Sequence, residues 1–260
     1  MLTKLRIKDK HFNDLIRFSR LNLITGNNST GKTMLLDYIE FVSTISKHYL
    51  NDSIMKETPN ATCLPNKSLR IGKVHKPMYT FFDSFDIKYT FDDYSSDNLI
   101  EARYTKSKQE LGISTLCEHD FTVPAINILD NGYHPNDLMN RVESMLPPTG
   151  NIIILIEQPE IGYDMQTQTE IGLTLASIVV TYDRVQLIVE THSECLLNGM
   201  RLGMGYSNLA NGDVRINHLT REDNTTVNIP IAIRANGNIE IWPDGFFDEQ
   251  DKFLKEKVGF

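Results

Sequence analysis

A chain of 260 residues, 40% of them hydrophobic, is long enough for one large core or one core with a small appendage, and its net charge of −8 argues against a broad basic surface for duplex DNA although a local patch survives any average, so nucleic acid is possible but not indicated. Cys63, Cys117 and Cys195 are widely spaced with no C-x-x-C pair, which leaves neither a disulfide framework nor a zinc site. No apolar run approaches the ~18 residues of a membrane span and no signal peptide is evident, so the expectation is a soluble cytoplasmic protein with no membrane partner.

The first readable element is the apolar strand Leu21 to Thr25, followed by Gly26-Asn27-Asn28-Ser29-Thr30-Gly31-Lys32-Thr33 and then a helical pattern over Met34 to Val42. The eight residues fit the phosphate-binding P-loop pattern G-x-x-x-x-G-K-[ST] at every fixed position, in a strand-to-helix setting. Gly26 and Gly31 let the backbone curl so that N–H groups from about Asn28 to Thr33 point inward and, with the positive end of the helix, cradle the β- and γ-phosphates of a nucleoside triphosphate. Lys32 brings the mobile charge, and the Thr33 hydroxyl is placed to ligate Mg²⁺.

Asn51 to Lys76 is polar and broken by prolines, which reads as a surface excursion. Met78 to Tyr104 alternates and turns through Asp92 to Asn98, predicting a β-hairpin whose aromatics, Phe81, Phe82, Phe85, Tyr89 and Phe91, read as hairpin core rather than a base-stacking platform. Residues 50–125 therefore form a variable β and loop insertion within a single 1–260 domain.

Asn151 to Ile156 is a continuous apolar run, the mark of a strand buried on both faces of a parallel sheet, and it ends in Glu157-Gln158-Pro159-Glu160. Acids at the carboxyl end of such a strand face the ligand crevice, so Glu157 takes the Walker B position that reaches Mg²⁺. Gln158 occupies the place where many such ATPases carry the glutamate that polarises the attacking water, and an amide cannot take a proton. Met165 to Tyr182 supplies a crossover helix to a third strand, Val185 to Val189, followed by Glu190-Thr191-His192-Ser193. His192, at that strand end, is positioned to sense a γ-phosphate. Further on, Val214 to Leu219, Thr226 to Arg234 and Asn238 to Trp242 read as strands, and Trp242, Phe246 and Phe247 as a buried knot anchoring a last helix, Asp248 to Val258.

The segments Gly26 to Thr33, Ile156 to Glu160 and Ile188 to Ser193 resemble the Walker A, Walker B and His-switch motifs of prokaryotic ABC-type AAA ATPases, relatives of the SMC and OLD families. The tail Gly237 to Glu249 is similar to the C-terminal module of uncharacterised function that one subgroup carries, here 213–260. The resemblance implies an α/β fold: a P-loop NTPase with an ABC-ATPase-like mixed sheet flanked by helices and an antiparallel β subdomain. It also implies ATP and Mg²⁺ as cofactors, a head-to-tail homodimer or a hetero-complex with an effector protein, and a setting in anti-phage or mobile-element systems.

Two segments that act across such a dimer depart from the pattern. The signature piece Asp130 to Leu138 carries His134, Pro135 and Asn136 where Gly and Ser are usual, and Ile161-Gly162-Tyr163-Asp164 replaces the usual D-loop. With Gln158, these departures leave two expectations: a slow Mg²⁺-dependent ATPase coupled to assembly, or a non-hydrolysing nucleotide-gated scaffold that regulates a partner effector.

Overall fold

Two sheets share one helix between them. In a computed structural model the described residues are 1–51, 85–91, 98–105, 110–115, 125–128, 135–146, 148, 151–206, 209–210, 212–243 and 245–248. The elements run β1 (Leu2–Lys8), β2 (Asn13–Arg17), β3 (Leu21–Gly26), α1 (Lys32–Asn51), β4 (Phe85–Phe91), β5 (Asn98–Thr105), β6 (Glu110–Thr115) and β7 (Ala125–Ile128). They continue through α2 (Pro135–Met145), β8 (Ile152–Glu157), α3 (Met165–Thr181), β9 (Val185–Glu190), α4 (Glu194–Tyr206), β10 (Val214–Glu222) and β11 (Thr225–Ile231).

The larger sheet has the order β11-β10-β3-β9-β8-β7, with the five strands β10 to β7 parallel and β11 antiparallel at the edge. The smaller has the order β2-β1-β4-β5-β6 and is antiparallel throughout. The α/β class with a mixed main sheet, flanking helices and an antiparallel β part is therefore borne out.

Both faces of the main sheet are covered, and side-chain alternation shows how. Ile153, Leu155, Ile188 and Ile24 join α1 and the small sheet in one core, where Leu35, Leu36, Tyr38 and Phe41 meet Leu5, Ile7 and Tyr89. Ile152, Ile154, Ile156, Leu187 and Val189 point to the opposite core with α2, α3 and α4. A strand that must satisfy two cores has no polar face, which is why Ile152 to Ile156 is unbroken. Burial of Tyr89 and Ile87 on the α1 side also supports the reading of the hairpin as core.

The α3–α4 contact depends on missing side chains. A Cβ at Gly172 would lie 2.1 Å from the carbonyl oxygen of Leu196, and one at Gly199 would lie 2.0 Å from that of Thr169, so the two backbones touch. Gly199→Val must push α4 away from α3 and loosen Leu196, Leu197 and Met200; we expect a loss of about 2–3 kcal/mol, read as a lower urea midpoint with unchanged slope.

Several sequence expectations shift. The helix after the P-loop starts at Lys32 and extends to Asn51, because the loop's last turn already closes with Leu35 N–H donating to the Gly31 carbonyl at 2.9 Å. Asn238 to Trp242 is not a strand: it makes a single antiparallel bridge, Ile233 to Ile239, since Gly237 turns the chain at positive φ against Arg201. Phe246 is buried, but Trp242 is 44% exposed and lies with its ring over the Arg201 guanidinium at 5.7 Å. The excursion beyond Asn51, Phe81, Phe82, residues 130–134 of the signature piece, Cys63, Cys117 and the last helix beyond Asp248 lie outside the described residues. Four strands, β1, β2, β6 and β7, have no counterpart in the sequence reading. Gln186, buried inside β9, ties β1 to the main sheet: its Nε2 donates to the Leu2 carbonyl at 2.8 Å and its Oε1 accepts from Leu2 N–H at 2.9 Å.

Candidate functional site

The loop from Gly26 to Thr33 curls through three left-handed residues, Gly26 at φ 138°, Ser29 at 65° and Gly31 at 94°. Gly26 is required for space as well as for its φ, because a Cβ there would sit 2.2 Å from the Leu219 carbonyl oxygen of β10. Thr30 Oγ1 donates to the Asn27 carbonyl at 2.9 Å and Thr226 Oγ1 donates to the Thr30 carbonyl at 2.8 Å, so β11 clamps the loop from behind. Asn27, Asn28 and Ser29 form an exposed crown. Lys32 is buried and folded under it, its Nζ donating to the carbonyls of Gly26 at 2.9 Å and Asn27 at 2.8 Å. An ammonium held by two carbonyls is charged and aimed at the centre of the loop, where an anion would exchange for them.

Beside the loop stands a row of acids. The spatial order β3-β9-β8 puts β9 between the P-loop strand and the strand of Glu157, and the register pairs Glu157 with Glu190. Thr33 Oγ1 donates to Glu190 Oε2 at 3.3 Å, and Gln158 Nε2 reaches Glu190 Oε1 at 3.5 Å. Glu157 Oε1 is buried and has no hydrogen-bond partner among the described residues. Gln158 holds φ 45°, a left-handed conformation that a non-glycine residue adopts only where the surroundings impose it; its N–H donates to the Glu190 carbonyl at 2.8 Å. From below, Glu40 on α1 is buried, and burial first and Glu157 second push its carboxyl up to about 7. Burial also raises Glu190, against the pull of Lys32.

The turn after β9 is held rigidly. His192 N–H donates to Glu160 Oε1 at 2.7 Å, and Ser193 caps α4 by accepting from Leu196 N–H at 3.0 Å while donating to Gln168 Oε1 at 2.6 Å. The His192 side chain is left exposed on the wall of a cavity of about 680 Å³, which it shares with Gly26, Asn28, Thr191, His218 and Phe246. His218 is buried, its Nδ1 3.0 Å from Thr25 Oγ1 and its ring edge-on to Phe246 at 5.3 Å; burial pushes its pKa down, so it is a neutral wall. The cavity thus opens between the P-loop crown and the His192 turn, with the 245–247 loop as its far side.

A solved structure has a similar fold. The SMC head domain from Thermotoga maritima superposes with a TM-score of 0.51 at 14% identity, covering 89% of this chain and 99% of that one. The fold is that of an SMC head. A family model described as a protein of unknown function, DUF3696, matches residues 209–256. No curated protein matches the chain. The DUF3696 stretch is no appendage: it contains β10, the parallel neighbour of β3, and it supplies Leu219, Thr226 and Arg221 around the P-loop.

The structure thus brings the loop residues Gly26 to Thr33 together with Glu157 and Gln158, and sets His192 on the adjoining cavity wall. Of the two altered segments, Pro135 and Asn136 open α2, where a proline suits the first helical turn. Asp164 of the other caps α3, accepting from Thr167 N–H at 2.8 Å. Sequence reasoning passed over Glu190 and Glu40. The signal for Glu190 was present, since Val185 to Val189 is another buried run ending in an acid, the pattern that singled out Glu157. Glu40 carried no such mark: it sits on a helix, and only packing turns that face toward Glu157. Among the described residues no helix is long and apolar enough to cross a membrane, and no cluster of three or more His, Cys, Asp or Glu side chains is placed to hold a metal unaided.

Proposed function

We propose that this protein binds ATP with Mg²⁺ and hydrolyses it slowly, using binding to drive assembly with a second copy or an effector protein. The observation that carries the reading is the convergence of the buried Lys32, the curled loop and the acid row at one end of the parallel strands. The residues present fit a divalent cation: a P-loop hydroxyl, a buried carboxylate oxygen on Glu157 that has no hydrogen-bond partner among the described residues, and an exposed loop crown beside them. Mg²⁺, when bound, supplies charge neutralisation on the phosphates. The chain's own residues do the rest: the loop N–H groups and Lys32 hold and orient the phosphates, Thr33 and Glu157 fix the cation's place, and His192 reads the γ-phosphate.

Slow turnover follows from Gln158. An amide can orient water through its carbonyl oxygen but cannot accept the proton that the water must lose. The same residue favours the second reading, a scaffold gated by nucleotide without hydrolysis. The resemblance of the three motifs to ABC-type AAA ATPases supports a place in prokaryotic anti-phage systems, with effector chemistry carried by another chain.

One variant separates the two readings. Gln158→Glu places a carboxylate against Glu190, whose charge raises the new group's pKa toward the range of an efficient general base. We expect phosphate release to increase by roughly 10²-fold, the scale of general-base catalysis. Equal and negligible release from both proteins, with ATP still bound, would establish the scaffold reading instead.

A further inference from the structure

The P-loop threonine faces an acid that does not come from the Walker B strand. We propose that Glu190, at the tip of β9, is a second acidic residue of the magnesium site, contacting the cation's ligand shell together with Glu157; the inference rests on the nucleotide reading above.

The geometry is specific. Because β9 is inserted between β3 and β8, its tip is closer to the P-loop than the tip of the strand that carries Glu157. Glu190 is 2% exposed, so its charge is kept out of bulk water at a desolvation cost. Its two hydrogen bonds, from Thr33 Oγ1 at 3.3 Å and Gln158 Nε2 at 3.5 Å, are long for charge-assisted contacts. A neutral glutamine at 190 would satisfy the Thr33 hydroxyl equally well, so these bonds do not account for the charge.

What accounts for it is a cation. Glu157 and Glu190 are direct cross-strand neighbours, and two like charges so placed repel each other. Glu157 keeps a buried oxygen with no hydrogen-bond partner among the described residues, and Lys32 supplies one compensating charge. Magnesium characteristically takes one or two carboxylates and leaves its other positions to phosphate oxygens and water. A hydroxyl and two carboxylates beside a phosphate cradle are that donor set, and a divalent ion held by them would offset the repulsion between the two acids.

The test uses Mn²⁺ as a paramagnetic probe, titrated by electron paramagnetic resonance into the full chain saturated with a slowly hydrolysed ATP analogue. In Glu190→Gln, which keeps an oxygen toward Thr33 but loses the charge, Mn²⁺ affinity is expected to fall about 10- to 100-fold. Glu190→Asp, which keeps the charge but withdraws it by one methylene, is expected to fall between the variant and the wild type. Nucleotide affinity in EDTA should be unchanged or tighter in Glu190→Gln, because a negative charge near the phosphates has gone. Mn²⁺ affinity within twofold of wild type in both variants overturns the proposal. A wild type that binds no nucleotide defeats the nucleotide reading itself and this proposal with it, an outcome distinguishable from the first.

Discussion

Lys32→Ala is expected to abolish ATP binding while leaving the fold intact. The ammonium is buried under the loop and satisfied by the carbonyls of Gly26 and Asn27. When phosphates enter, it exchanges two neutral acceptors for anionic ones, and a hydrogen-bonded charge contact in a desolvated setting is worth about 3–5 kcal/mol when truncated, which corresponds to roughly 10²- to 10⁴-fold in affinity. The fold survives because the loop's shape is held by other groups: Thr30 to Asn27, Thr226 to Thr30, and Gly26 against Leu219. The measurement is calorimetric titration with ATP and Mg²⁺, alongside thermal melts of both proteins. Wild-type affinity in a folded variant would remove the phosphate role from this loop.

Glu40→Gln is expected to stabilise the free protein at alkaline pH and to do nothing at acidic pH. In the folded chain the Glu40 carboxyl is pushed up to about 7 from 4.5, by burial and then by Glu157. Between those two values the folded state holds a proton that the unfolded state releases. The stabilising contribution of protonated Glu40 is therefore present below about 4.5 and is lost as pH rises through about 7. The full span corresponds to roughly 3 kcal/mol. A glutamine needs no proton, so the variant should exceed the wild type by up to about 3 kcal/mol at pH 8 and match it at pH 4. Urea denaturation of both proteins without nucleotide at the two pH values reads this out. Glu190 and Glu160 are raised by burial as well, so both proteins should still lose some stability toward high pH. A variant no more stable than the wild type at pH 8 would show that Glu40 ionises at no cost.

A buried carboxylate in the first helix, two turns beyond the P-loop lysine, is an unusual choice for a core position. It gathers Glu40, Glu157 and Glu190 near one ammonium, an arrangement that is electrostatically strained at neutral pH. On the reading proposed above, the cation and nucleotide relieve that strain, so affinity for the ligand and stability of the protein are linked.

The elements that local chemistry dictates were legible in the chain of residues alone. Gly26 and Gly31 mark a left-handed curl because other residues resist it, and Ile152 to Ile156 marks a doubly buried strand because a two-sided core tolerates no polar face. From these the parallel sheet, its crossover helix α3 and the position of Glu157 beside the P-loop followed. Tertiary structure decided what depends on partners distant in the chain. The strands β1 and β2 are short and amphipathic; β2 pairs only with its chain neighbour β1, and β1 alone joins the pair to the sheet through β4, across a long separation that local patterns do not encode. The stretch Asn238 to Trp242 has strand-like composition but no neighbouring edge beyond one bridge, so it remained a loop, and Trp242 lay over Arg201 instead of inside a core. Strand order was the decisive fact: β9 inserted between β3 and β8 brought Glu190 to Thr33, a contact set by hydrogen bonding between strands rather than by either segment alone.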